Sequence, residues 1–144
     1  MKISSRVDYA LSCAARIADK YESRKPVSVS YVAKKECLEP DYAEQLLIKM
    51  KRAGILKSIR GAEGGYVLAR SPDKISAKDI LVAIEKDILR LVCSREKGRR
   101  KSCIHIKDCR VKKVWVGLKN KMEDHLKKFT LKEVLVLRRK EKNW

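Results

Sequence analysis

Residues 40–54 place the tightest limit on the fold, because both ends of a helix are encoded there. Pro40 suits the first turn of a helix, and Gly54 suits the position just after its end. A shorter helix, capped by Ser28 or Ser30, is predicted just before it. Two helices joined by a tight turn, the second rich in polar side chains, predict a helix-turn-helix.

A β-hairpin is predicted directly after the second helix. Two short runs of strand-forming residues, 55–60 and 66–70, flank a glycine-rich turn. A phosphate-binding loop is disfavoured, because that loop needs a helix behind it and a strand follows here. A hairpin in this position is the wing of a winged helix. The expected fold is therefore mainly α with a small β-hairpin, with a winged helix-turn-helix domain over residues 1–75 and a second part over residues 76–144.

Helical periodicity predicts further helices on either side of this unit. An amphipathic helix is expected from residue 5 to about residue 21. Capping boxes beginning at Ser76 and Thr130 predict two more helices. A long helix is expected over residues 110–129. Its apolar stripe consists of Val111, Val114, Trp115, Leu118, Met122, Leu126 and Phe129. A stripe of this length in a small chain predicts a homodimer interface, and packing onto the winged domain is the alternative.

The charge of the chain limits its partners. The 144 residues carry a formal charge of +18 at pH 7, and the pI is near 9.9. Such an excess of positive charge predicts a polyanionic partner, and nucleic acid is favoured over a membrane surface. No apolar run approaches the length of a membrane span, and nothing resembles a signal peptide, so the reducing cytoplasm is the expected compartment. An enzyme is not expected, because no paired carboxylates or nucleophile–base set stands out.

Three cysteines, Cys93, Cys103 and Cys109, lie in one short basic segment and are separated by nine and then five residues. Thiolates are soft ligands that select zinc, copper(I) or iron–sulfur clusters. The Cys-x2-Cys spacing of structural zinc ribbons is missing, which favours a cluster over zinc. Three free thiols in a solvated loop are the alternative. Disulfides are disfavoured, because the chain has five cysteines, an odd number.

The chain resembles the bacterial winged-helix regulator family that includes IscR, NsrR and CymR. The resemblance covers nearly the whole sequence, and it rests on Met-Lys-Ile-Ser at residues 1–4, Tyr-Ala-Glu-Gln-Leu-Leu at 42–47, the run 53–69 and Thr-Leu at 130–131. The most specific element is the Arg-Gly-x-x-Gly-Gly-Tyr wing at 60–66, which follows the Glu-Gln-Leu helix.

Membership of this family implies a dimeric transcription factor, and many members hold an iron–sulfur cluster on three cysteines. The matching residues here are Cys93, Cys103 and Cys109. A 4Fe–4S cluster is favoured, and a 2Fe–2S cluster is the second option. IscR-like members place a histidine where this chain has Lys112, and a protonated lysine cannot ligate. Asp8 matches the aspartate that NsrR-like members donate from the other subunit, so Asp8 is the preferred fourth ligand and His105 the alternative.

The expected DNA contacts follow from the second helix and the wing. Base edges are expected to meet Asp41, Tyr42, Glu44 and Gln45. Phosphates are expected to meet Lys49, Lys51 and Arg52. Arg60 is placed to enter a narrow minor groove, or to contact one more phosphate.

The sequence therefore predicts a regulator, most readily a repressor, that binds a pseudo-palindromic site in double-stranded DNA. Its cluster would sense nitric oxide, iron–sulfur status or redox state. The alternative is a zinc- or thiol-based redox sensor or an electron-transfer protein.

Overall fold

A computed structural model describes residues 3–89 and 108–140 of the chain. In order, the elements are α1 (Ser5–Ala18), α2 (Val29–Glu36), α3 (Pro40–Arg52), β1 (Leu56–Ile59), β2 (Gly65–Leu68), a 3-10 turn (Pro72–Lys74), α4 (Ala77–Glu85), α5 (Lys112–Lys128) and α6 (Leu131–Lys140). The expected architecture, mainly helical with one antiparallel hairpin, is confirmed. Among the described residues, no helix has both the length and the apolar character needed to cross a bilayer.

The helix-turn-helix forms where its capping residues predict it. The Ser28 hydroxyl accepts a hydrogen bond of 3.2 Å from the Tyr31 amide and so caps α2. Cys37 ends α2 in the left-handed conformation at φ 53°. Pro40 occupies the first turn of α3, and Gly54 follows that helix at φ 73°. The first helix is shorter than expected, because turn hydrogen bonds to carbonyls three residues back replace the helical pattern after Ala18.

The wing is held against the start of α2 by backbone hydrogen bonds. Val27 and Tyr66 exchange two of them, at 2.9 and 2.8 Å. Gly65 precedes Tyr66 at φ 152°, and a Cβ atom there would lie 2.3 Å from the carbonyl oxygen of Val27. Only glycine allows this approach, so the second strand can lie beside residue 27.

One hydrophobic core joins α1, α3, the hairpin, α4 and α6. Its largest fully buried side chains include Ile17, Leu46, Leu47, Met50, Ile55, Leu56, Ile75, Ile80 and Leu131. The helix α4 thus buries residues in the same core as the winged helix, and the division at residue 75 stays a prediction. Both capping boxes are confirmed, at Ser76 with Asp79 and at Thr130 with Glu133.

The two halves of α5 have different surroundings. In the second half, Glu123 accepts a hydrogen bond of 2.7 Å from Lys78 of α4, and Leu126 packs against the core. Val111 lies just before the first turn of α5, and Val114 and Trp115 lie within that turn. All three apolar side chains are exposed. Packing onto the winged domain therefore accounts for only part of the apolar stripe.

Candidate DNA-binding surface and ligand residues

The helix α3 has a buried face and an exposed polar face. Ala43, Leu46, Leu47 and Met50 are buried in the core. The opposite face exposes the residues expected to contact DNA, namely Asp41, Glu44, Gln45, Lys51 and Arg52, whereas Lys49 is half-buried. The helix thus presents acidic and amide groups in its first two turns and cations in its last turn.

The wing lies next to this polar face. Burial, together with the negative charge of Glu44, raises the pKa of the Tyr66 phenol in β2. This electrostatic influence indicates that the Glu44 carboxylate is near the hairpin. Arg60 is exposed at the end of β1, where the wing turn begins. The structure thus places Glu44, on the exposed face of α3, near the hairpin, and the expected DNA contacts of this face stay a prediction.

Tyr42 is less exposed than Asp41, Glu44 and Gln45. Its side chain is half-buried and packs against the core, and its ring meets the ring of Tyr9 edge to face, with centroids 6.1 Å apart and planes at 88°. Tyr42 therefore packs against α1, and its predicted contact with a base edge stays a prediction.

Asp8 is exposed on α1 and lines a groove of about 470 Å³ between α1, α4 and α5. The groove is mainly apolar, with Val7, Leu11, Leu81, Ile88, Met122 and Leu126 among its lining residues. Its polar lining residues include Glu85, Lys121 and His125. Asp8 is thus a carboxylate beside an apolar groove, close to the second half of α5.

Cys109 occupies a different part of the molecule. It is half-buried, and its carbonyl oxygen accepts a hydrogen bond of 3.4 Å from the amide of Lys112, where α5 begins. Cys93, Cys103 and His105 lie outside the described residues. Within residues 3–89 and 108–140, no three His, Cys, Asp or Glu side chains lie close enough to hold a metal ion. The described part of the chain thus contains two of the predicted donors, Asp8 and Cys109, and Cys109 is not among the residues that line the groove beside Asp8.

Comparisons with known proteins decide the family. The model of Rrf2, described as an iron-dependent transcriptional regulator, matches residues 3–136. The chain belongs to the Rrf2 family. It is 39% identical over 110 residues to the transcriptional regulator CymR of Bacillus subtilis. The matched region covers 75% of this chain and 79% of CymR.

Solved structures agree with the Rrf2 assignment. The structure titled as CymR, the global cysteine regulator of B. subtilis, matches with a TM-score of 0.74 at 30% identity, covering 95% of this chain and 98% of that one. The structure titled T. potens IscR matches with a TM-score of 0.78 at 28% identity, covering 100% and 93%. As an Rrf2 protein, the chain is a DNA-binding transcriptional regulator and not an enzyme.

Two features of this Rrf2 chain had no signal in the sequence. Tyr9 contacts the start of α3, and Arg16 of α1 donates a hydrogen bond to Glu36 of α2. Neither pair has the three- or four-residue spacing that would suggest a contact on one helix. Each depends on how α1 crosses the helix-turn-helix, which only the tertiary structure shows.

Proposed function

We propose that this Rrf2 protein is a homodimeric repressor whose DNA affinity is controlled by an iron–sulfur cluster. Cys93, Cys103 and Cys109 of one protomer would hold the cluster, and Asp8 of the second protomer would complete the ligand set. A 4Fe–4S cluster is favoured over a 2Fe–2S cluster. Such a regulator acts on DNA in the cytoplasm. The observation that carries the proposal is that Asp8 lines a groove beside the second half of α5, whereas Cys109 precedes the first turn of that helix.

Asp8 and Cys109 are associated with different parts of α5. Asp8 lines a groove whose α5 residues include Met122, whereas Cys109 lies just before the start of the helix at Lys112. Ten residues of α-helix rise about 15 Å. Because Asp8 lines the groove beside Met122 and Cys109 precedes Lys112, this rise supports a carboxylate donated by a second copy.

The exposed part of α5 supports a dimer. Val114 is 64% exposed and Trp115 46% exposed, although both belong to the apolar stripe. Large apolar side chains grouped on one face are typical of an interface. A second copy that covers this face would also lie near Cys109, which lies three residues before the start of α5.

The donor chemistry fits an iron–sulfur cluster. Three thiolates and one carboxylate are compatible with iron, and the carboxylate is the ligand more easily exchanged. When bound, the cluster would supply a centre that reacts with nitric oxide or oxidants or is lost when iron is scarce. Asp8 would bind the exchangeable position, and the basic residues of 93–109 would offset the negative charge of the thiolate-ligated centre.

The charge and the α3 surface support specific DNA binding. Base edges would be read by Asp41, Tyr42, Glu44 and Gln45, and Arg60 would enter the minor groove. Lys49, Lys51 and Arg52 would contact phosphates. Two copies related by a two-fold axis would place their α3 helices about 34–36 Å apart on a pseudo-palindromic site.

A second candidate is a thiol-responsive Rrf2 regulator without a cluster. It is favoured by the 39% identity to CymR, the B. subtilis protein whose structure is titled as a cysteine regulator. The exposed thiol of Cys37, in the turn of the helix-turn-helix, would then be available for oxidation.

Anaerobic purification separates the two candidates. The cluster proposal expects visible absorption and nearly equal iron and sulfide, which are lost when Cys93, Cys103 or Cys109 is replaced by alanine. Asp8→Ala should leave a cluster that assembles but decays faster, whereas Glu85→Ala, which removes another carboxylate from the same groove, should not. A colourless protein without iron or sulfide would favour the thiol-responsive candidate. Stoichiometric zinc would contradict both.

Selection of binding sites from a random DNA library tests the proposed sequence-specific binding to DNA. The expected site is pseudo-palindromic. Gln45→Ala should relax its sequence preference, whereas Lys51→Ala should mainly lower the salt dependence of binding. Equal losses on selected and random DNA for both variants would contradict the assignment of α3.

A further inference from the structure

The start of the DNA-facing helix α3 is joined to α1 by an aromatic pair. The ring of Tyr9 meets that of Tyr42 edge to face, with centroids 6.1 Å apart. This arrangement places the positive edge of one ring against the negative face of the other, which is the preferred geometry for two aromatic side chains. The contact therefore favours one orientation of the Tyr42 ring.

The two tyrosines differ in their environment. Tyr42 packs against the core in the first turn of α3. Tyr9 is 38% exposed, so burial alone does not explain an aromatic residue at this position. Its described ring contact is with Tyr42, next to exposed Asp41 and one turn before exposed Gln45.

The position of Tyr9 on α1 is itself fixed. Val7, Ala10, Cys13 and Ala14 are buried in the core and set the rotation of α1 about its axis. Adjacent residues of a helix point about 100° apart. Asp8 accordingly lines the groove beside α5, and Tyr9 contacts α3. One turn of α1 thus lies between the groove and the DNA-facing helix.

We propose that Tyr9 is a positioning residue for DNA recognition. It holds the Tyr42 ring, and with it the first turn of α3, in the orientation that fits a DNA site, and it does so without touching DNA. The proposal deepens the proposed DNA-binding function and rests on it. It also explains why α1, which carries Asp8, is in direct contact with the recognition surface.

The test measures binding of the full-length protein to its selected site and to a random duplex by fluorescence anisotropy. Tyr9→Leu and Tyr9→Ala should weaken binding to the selected site about three- to tenfold and binding to random DNA less than twofold. Tyr9→Phe keeps the ring and should bind like the wild type. Tyr21→Ala is the matched control, because Tyr21 has a similar exposed fraction, 37%, and lies beyond the end of α1.

A double-mutant cycle distinguishes positioning from an independent effect. If Tyr9 acts through Tyr42, the Tyr9→Ala/Tyr42→Ala protein should bind the selected site within about twofold of Tyr42→Ala alone. If the losses of affinity caused by the two single substitutions multiply in the double mutant, Tyr9 acts independently of Tyr42 and the proposal is overturned. Thermal unfolding of each variant shows whether a loss of DNA affinity reflects a loss of stability. If Tyr9→Ala fails to fold, Tyr9→Leu, which retains apolar bulk, replaces it in the test.

Other outcomes are equally decisive. Wild-type affinity in both Tyr9→Leu and Tyr9→Ala would overturn the role of Tyr9 and leave the proposed function intact. A loss in Tyr9→Phe equal to that in Tyr9→Ala would show that the hydroxyl and not the ring contact is responsible, which also overturns positioning through the ring of Tyr42. A wild-type protein that selects no sequence would contradict the proposed function itself, and the role of Tyr9 with it.

Discussion

The Nε atom of Arg16 donates a hydrogen bond of 2.6 Å to Oε1 of Glu36, and this ion pair joins α1 to the last turn of α2. Both side chains are largely shielded, at 18% and 14% exposure. A partly buried pair of this kind leaves an uncompensated charge when one partner is removed. The pair therefore contributes to holding the helix-turn-helix against α1.

Replacing one partner should destabilise the fold. Arg16→Met or Glu36→Gln should lower the free energy of unfolding by about 1–3 kcal/mol, measured in urea. The exchanged pair Arg16→Glu/Glu36→Arg should recover part of that loss. Asp124→Asn is the control, because Asp124 forms an exposed pair with Lys127, and it should change stability by less than about 0.5 kcal/mol. Equal effects of Glu36→Gln and Asp124→Asn would contradict this role.

Cys13 and Cys37 should differ in reactivity. Burial, reinforced by the charge of Glu36, raises the pKa of the Cys13 thiol to about 12, whereas Cys37 is exposed. At pH 7.5 an alkylating reagent should modify Cys37 and leave Cys13 intact in the folded protein. Peptide mass spectrometry provides the measurement, and modification of Cys13 as fast as in urea would contradict its burial.

The same shift predicts a pH dependence of stability. The pKa of the Cys13 thiol in the folded protein is raised above its ordinary value of 9.0. The stability that the neutral buried thiol contributes is therefore complete below pH 9 and is lost as pH rises from 9 through 12. Between pH 8.5 and 10.5 the wild type should lose about 1–2 kcal/mol more than Cys13→Ala. Urea unfolding at the two pH values measures this difference, and parallel curves would refute the assignment.

Local and non-local features differed in how well the sequence predicted them. The capping boxes at Ser76 and Thr130 were predictable, because each involves residues three positions apart. The wing was predictable from its glycines, but the reason for Gly65 was not, since the obstructing atom belongs to Val27. The contact of Tyr9 with Tyr42 depends on the packing of separate helices. The predicted donors Cys93 and Cys103 lie outside the described residues and stay predictions.

Gly65 should tolerate no side chain. In Gly65→Ala the new Cβ atom would meet the carbonyl of Val27, at a φ that L residues rarely adopt. We expect a loss of about 2–4 kcal/mol in unfolding free energy and weaker DNA binding. Gly117→Ala is the control, because nothing lies within 4 Å of a Cβ at that helical position. A Gly65→Ala protein as stable as the Gly117→Ala protein would contradict the packing of the wing.

Ion pairs from α4 and from Asp87, just after the end of α4, should help to determine how firmly α5 is held. Glu123 pairs with Lys78 at 2.7 Å, and Lys119 pairs with Asp87 at the same distance. Glu123→Gln weakens the first link, and amide hydrogen exchange in α5 should become several-fold faster. The adjacent control Asp124→Asn should leave exchange unchanged. Identical exchange in the two variants would contradict this role for the pair of Glu123 with Lys78.

The central claim is that one cluster is completed by Asp8 of the other protomer, and a mixed dimer tests it most directly. Co-expression of an Asp8→Ala chain with a Cys109→Ala chain, each carrying a different affinity tag, yields heterodimers that can be purified anaerobically. If Asp8 acts across the interface, the cysteines of the first chain meet Asp8 of the second. One complete site then forms, with about half the wild-type iron and the wild-type rate of cluster decay. If the ligand comes from the same chain, neither site is complete, and the remaining cluster would decay as fast as in the Asp8→Ala homodimer.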